Sequence, residues 1–162
     1  MDTNIKKLLE YLIKKLLENL IFYGTVCALT PKDGTVRVCR EDKGNKVTND
    51  MFVLQRGSSE SKDFWMPAVG DQVLCIQMPN FSGAGVGDGF VLGTFFSSAD
   101  APPGGADANT RVIDTPGNLK INVGGALQIN ASSGDVVVNG ISLVSHVHGG
   151  VTPGGSKTST PE

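Results

Sequence analysis

Asn118-Leu119-Lys120-Ile121-Asn122-Val123, Ala126-Leu127-Gln128-Ile129-Asn130-Ala131 and Asp135-Val136-Val137-Val138-Asn139 form a short repeat whose reading decides the fold. Each unit alternates small apolar and polar residues, the period of a β-strand. Each is followed by a glycine turn, at Gly124-Gly125, at Ser132-Ser133-Gly134 and at Gly140. Leu119, Leu127 and Val136 stand eight and then nine residues apart, and Ile141-Ser142-Leu143-Val144 extends the run. No unit of this size is stable alone; such repeats are stable only when their apolar faces stack into a continuous core.

The composition around the repeat sharpens the question. From Ser97 to Glu162 there is no aromatic residue, no cysteine and no methionine. Small side chains in one copy bury too little area to offset the conformational entropy of ordering them. This half is therefore either disordered or packed against copies of itself. A single chain wound as a narrow β-helix is one solution. Three chains about a common axis are a better one, because each apolar face then meets two copies of itself and no strand edge is left open. The expectation is an intertwined trimeric β-helix over 118–144, entered through a collar at 101–117 that begins Ala101-Pro102-Pro103-Gly104-Gly105. Prolines there remove ladder donors.

Upstream, residues 23–100 alternate with period two. Thr25-Val26-Cys27-Ala28-Leu29 and Thr35-Val36-Arg37-Val38-Cys39 flank the turn Pro31-Lys32-Asp33-Gly34, a hairpin signature. Met51-Phe52-Val53-Leu54, Val73-Leu74-Cys75-Ile76-Gln77-Met78 and Phe90-Val91-Leu92-Gly93-Thr94-Phe95 read as further strands. About five short strands in this span suit a small barrel of the oligonucleotide/oligosaccharide-binding (OB) type. Gly83 to Gly89 superficially resembles a dinucleotide loop, but a strand follows it where that motif needs a helix. Phe64 and Trp65 are expected inside the barrel.

The N-terminal segment, 1–22, has a different period. Ile5, Leu8, Leu9, Leu12, Ile13, Leu16, Leu17, Leu20 and Ile21 follow helical spacing, with Thr3 or Asn4 as a cap and Gly24 as a stop. Lys6, Lys7, Glu10, Lys14, Lys15 and Glu18 interrupt any apolar run long enough for a membrane span or a signal peptide. This amphipathic helix is read as a docking element, trimer-forming or partner-binding. Packing on its own domain and binding at a membrane surface are the alternatives.

Charge and cysteine usage bound the function. The 162-residue chain carries a formal net charge of −2. Between Gly24 and Ala99 seven Lys/Arg stand against eight Asp/Glu, leaving no basic excess to track a phosphate backbone. Cys27, Cys39 and Cys75 form neither a paired framework nor a metal spacing. They read as reduced, buried thiols of a protein assembled in cytoplasm. Ser145-His146 is no hydrolase pair, because adjacent strand residues face opposite sides and no oxyanion site accompanies them. No enzymatic activity is expected.

Gly24-Thr25-Val26, Gly34-Thr35-Val36-Arg37-Val38, Met66-Pro67-Ala68-Val69-Gly70-Asp71-Gln72-Val73-Leu74-Cys75, Gly89-Phe90-Val91-Leu92-Gly93-Thr94-Phe95-Phe96 and Ala101-Pro102-Pro103 occur in that order. With them the chain, from about Phe22 to its end, resembles the phage baseplate assembly protein V family. That family includes the central spikes of contractile-tailed phages and R-type bacteriocins, and is similar to the OB core of type VI secretion spikes. The resemblance implies a homotrimeric, envelope-piercing spike of a contractile injection system. It would be held by baseplate hub and tube proteins in a virion or bacteriocin particle, with no nucleic acid and no small-molecule substrate.

The two histidines of the chain, His146 and His148, both lie in the tip segment 145–162. On a strand, residues i and i+2 face the same way. Three copies would then bring six imidazoles to one axis, a shell that favours iron or a similar octahedral ion over four-coordinate zinc. Spikes of the resembled family carry H-x-H near the C-terminus with iron on the axis, which implies His146 and His148 as its ligands and one iron per trimer. The competing reading is a monomeric OB-type carbohydrate- or nucleic-acid-binding module with a disordered tail. An enzyme with either histidine at a cleft is a further one.

Overall fold

Leu20 and Ile21 are neighbours in the chain but belong to different elements. The computed structural model describes residues 3–80, 82–83, 85–147 and 154. In it α1 spans Thr3–Leu20 and β1 spans Ile21–Thr30, so the helix runs into the barrel with no connecting loop. Gly24 does not end the helix, as its spacing suggested. It lies inside β1, where an added Cβ would sit 2.5 Å from the Cys39 carbonyl oxygen and 2.6 Å from Val38 Cγ1. The glycine is needed because β1 and β2 approach closely there.

The hairpin at 31–34 forms as read. β1 pairs antiparallel with β2 (Thr35–Arg40), with Thr30 opposite Thr35. Asp33 N–H donates to the Thr30 carbonyl at 3.0 Å, and Gly34 turns with φ 67°. A β-bulge between Val26 and Ala28 adds Cys27 to one strand only and bends it. After a short 3-10 turn at Glu41–Lys43 come β3 (Lys46–Val47), β4 (Met51–Val53), β5 (Gln72–Pro79) and β6 (Val86–Thr94). The sheet order is β1-β5-β6-β4-β2-β3, and the additional β1–β2 pairing closes five strands into a barrel. β4 and β6 are parallel, while the other pairs are antiparallel. The result is mainly β with one N-terminal helix, consistent with an OB-type barrel.

Inward positions follow the period-two reading. Val26, Val36, Val38, Met51, Val73, Cys75 and Val91 fill the interior. Two expectations about polar and aromatic residues need correcting. Of the cysteines only Cys75 is buried, whereas Cys27 is exposed on the bulge and Cys39 is half-buried. Phe64 is exposed, and Trp65 is only half-buried against the core, its indole N–H donating to the Leu54 carbonyl at 2.9 Å. β6 also starts earlier than its apolar run suggested. Gly87 and Gly89 look like loop residues but sit in the strand, where an added Cβ would meet the Met78 carbonyl at 2.9 Å and Met51 Cε at 2.8 Å.

Residues Met1–Asp114 and Thr115–Glu162 are separate compact units. In the second, the expected β-helix is not formed by the single chain. From Thr115 to Val136 there is no strand, and every residue from 111 to 135 is exposed. Among the described residues no backbone–backbone hydrogen bond joins residues in that stretch. The physical reason is the one the composition stated: one copy offers its apolar alternation no surface to meet. Only β7 (Val137–Val138) and β8 (Ile141–Ser142) pair. No helix among the described residues is long and apolar enough to cross a membrane.

Candidate functional site

The candidate site begins at the β7–β8 hairpin. Its turn is Asn139-Gly140, with φ of 49° and 80°. Positive φ at both central positions is the demand of a type I′ turn, which Asn-Gly meets at least cost. The turn brings β8 back beside β7, with Val138 opposite Ile141, and Leu143 N–H donates to the Val136 carbonyl at 2.9 Å.

Beyond β8 the chain turns at Leu143–Ser145, held by side chains. Ser145 N–H donates to Ser142 Oγ at 2.7 Å, and the two hydroxyl oxygens are also 2.7 Å apart. Val144 N–H donates to Asp135 Oδ1 at 3.3 Å. A Ser142 side-chain hydrogen bond, which outweighs desolvation and is supported by the backbone N–H groups of Val136 and Val144, holds the Asp135 carboxyl below the usual carboxylate range. One arrangement satisfies every group: the Ser145 hydroxyl donates to Ser142, and the Ser142 hydroxyl donates to Asp135.

His146 follows this turn and is exposed. It lies four residues past the end of β8, so the strand alternation invoked to aim it together with His148 does not apply to it in the single chain. His148 lies outside the described residues. The His146 ring is nevertheless oriented, with Nδ1 3.0 Å from the Ser142 carbonyl oxygen. A carbonyl oxygen only accepts, so Nδ1 carries the hydrogen and Nε2 keeps the lone pair of the neutral ring. Metal-ligating histidines are commonly set this way, one ring nitrogen bonded to a carbonyl and the other on the ion. The donor chemistry at His146 thus fits a metal ligand. Among the described residues no group of three or more His, Cys, Asp or Glu gathers within one chain.

Asp135 and Ser142 were not singled out from the sequence, and Ser145 was weighed there only as half of a hydrolase pair. The Asn-Gly pair was the available signal, since it fixes a tight hairpin and so sets which residues flank it.

The barrel offers a contrasting group. Arg40 donates from Nη2 to the Glu18 carbonyl at 2.9 Å and to Asp42 Oδ2 at 2.7 Å, and lies 4.0 Å from the Phe22 ring centroid. It borders a cavity of about 550 Å³, but its charge is spent on fixing α1 to the barrel. Burial pushes the Cys75 thiol up to about 12, which makes it a poor nucleophile.

The family model described as the GpV Apex motif matches residues 140–162, the segment that begins in the hairpin turn and holds both histidines. The match supports the chain's resemblance to the phage baseplate assembly protein V, or spike, family. No curated protein matches this chain.

Proposed function

We propose that this chain is the subunit of a homotrimeric central spike in a contractile injection system, mounted on baseplate hub or tube proteins and driven into a target cell envelope. The observation that carries the reading is the exposed alternation at 115–136. Leu119, Ile121, Val123, Leu127 and Ile129 are all exposed in the single chain, and their backbone lacks a ladder among the described residues. A segment in that state gains apolar burial and hydrogen bonds together when identical copies wind around it. The adjoining apex-motif match supports the same reading.

At the tip, His146 and His148 of three copies would hold an iron ion. Bound only by the assembled trimer, the ion would stabilise assembly by mass action and supply cross-linking, with no open position for a reaction. The chain's own contribution is orientation. The Asn139-Gly140 hairpin and the Asp135–Ser142–Ser145 bonds fix the turn from which the imidazole projects. The work is mechanical, with no enzymatic step, and the protein resides in a phage or bacteriocin particle assembled in the bacterial cytoplasm.

Limited proteolysis of the purified full chain, combined with size-exclusion light scattering, tests this. A particle of three times the 17.0 kDa chain mass that resists cleavage after Pro103 is expected. A monomer cut readily after Pro103 would favour the OB-type binding module with a disordered tail.

A further inference from the structure

A barrel in water normally alternates apolar inward and polar outward residues. Here four adjacent strands also carry large apolar residues on the outward face. Ile21, Ile76, Phe90 and Phe52 lie opposite one another across β1, β5, β6 and β4, forming an unbroken outward row. The rings of Phe52 and Phe90 are 6.0 Å apart. In the next row Tyr23 opposes Leu74, with Phe95 edge-on to the tyrosine at 6.4 Å. Tyr23, Phe52 and Phe95 are 66%, 47% and 41% exposed. At about 200 Å² per aromatic side chain, these three alone expose roughly 300 Å², already the size of the largest patch on an ordinary monomer. Leu54, Leu74 and Leu92 enlarge it.

The chain carries a second uncovered apolar surface, the stripe of α1, none of whose described residues is buried. In this chain the helix does not cover its own barrel face, where Tyr23, Phe52 and Leu74 stay exposed. It enters β1 without a loop, its Glu18 carbonyl is held by Arg40, and the Glu18 carboxylate is held by Lys43 at 3.4 Å. Charge favours joining the two surfaces. β1, β4, β5 and β6 contain no lysine or arginine, and their one charged residue is Asp88. α1 has four lysines against two glutamates.

We propose that α1 of one copy docks on the outward β1-β5-β6-β4 face of a neighbouring copy. The inference rests on the trimer reading above and specifies how its barrels are joined. A helix of 18 residues is about 27 Å long, enough to cross four strands spaced ~4.8 Å apart. One such contact covers both apolar surfaces, whereas helices meeting only each other would leave every barrel face bare. The contact is head-to-tail, and three copies close it into a ring.

The test is photo-crosslinking of the full-length protein with a benzophenone amino acid in place of Leu12. Mixed nitrogen-15 and nitrogen-14 subunits separate inter-chain from intra-chain links by mass spectrometry. Inter-chain links from position 12 to peptides containing Tyr23, Leu74, Phe90 or Phe52 are expected. They should fall to background in a Phe52→Ser variant whose trimer mass is unchanged. Links from α1 to α1, or a trimer with no inter-chain link from α1, would overturn the docking while leaving the spike reading intact. A monomer would overturn both. Should Phe52→Ser not fold, the mapped links in the parent protein still decide.

Discussion

The Ser142 carbonyl oxygen and His146 Nδ1 lie 3.0 Å apart. This contact joins the last residue of β8 to the described histidine and sets which ring nitrogen carries the hydrogen of the neutral ring. Neutral His146 is accordingly expected as the Nδ1–H tautomer in the metal-free protein. Nitrogen-15 chemical shifts of the imidazole measure this directly. An Nε2–H tautomer would mean that the carbonyl does not set the ring, and the ligating nitrogen would change with it.

A charge placed in the repeat separates the spike from a loose tail. Ile129 is 65% exposed in the single chain, and at such a site an isolated monomer tolerates substitution within about 0.5 kcal/mol. In a three-chain core the same position would bury three carboxylates together. Ile129→Asp is expected to abolish trimer formation or to render residues 111–135 protease-sensitive, seen by light scattering and digestion. An unchanged particle would contradict the winding of the repeats.

Gly24 tests the barrel. Gly24→Ala forces a methyl group against the Cys39 carbonyl and Val38, and overpacking of this kind typically costs about 1–3 kcal/mol. Chemical denaturation should show a lower midpoint with unchanged steepness. The equivalent change at Gly93, where an added Cβ meets nothing within 4 Å, should cost less.

The Arg37–Asp50 pair predicts an acid limit. Arg37 Nε donates to Asp50 Oδ1 at 2.8 Å. That hydrogen bond, aided by the guanidinium charge, holds the Asp50 carboxyl below its ordinary 3.8. A carboxyl lowered by folding stabilises the native state above its unfolded value and loses that contribution as pH falls through the folded one. The urea midpoint should therefore decline as pH drops below 3.8, and less so in Asp50→Asn. Because the pair is exposed, the difference should be small and should shrink with added salt.

Local patterns carried much of this fold and longer contacts carried the rest. The helix over Thr3–Leu20 and the hairpin at Gly34 were legible because each rests on a local period or turn residue. Gly24 was misread because a glycine that stops a helix and one that admits a neighbouring strand look alike until the partner, here Cys39, is known. Gly87 and Gly89 hid the start of β6 for the same reason. Phe64 and Cys27 were expected inside because apolar character suggests burial, whereas a bulge and an irregular connection put them outside. At the tip, the histidines stood out by type. The Asp135–Ser142–Ser145 bonds did not, since they depend on a hairpin that brings residues 135 and 144 together. The repeat was legible as strand-like from its alternation, but a ladder needs a paired surface that one chain does not supply, so the chain displays the alternation without the ladder.

The most direct test of a metal-stapled trimeric spike is mass and metal measured on one sample: size-exclusion light scattering with elemental analysis of the peak, for the parent protein and for a His146→Ala, His148→Ala double variant. The account predicts a trimer with about one iron per three chains, and loss of that iron in the variant. A metal-free monomer would contradict it.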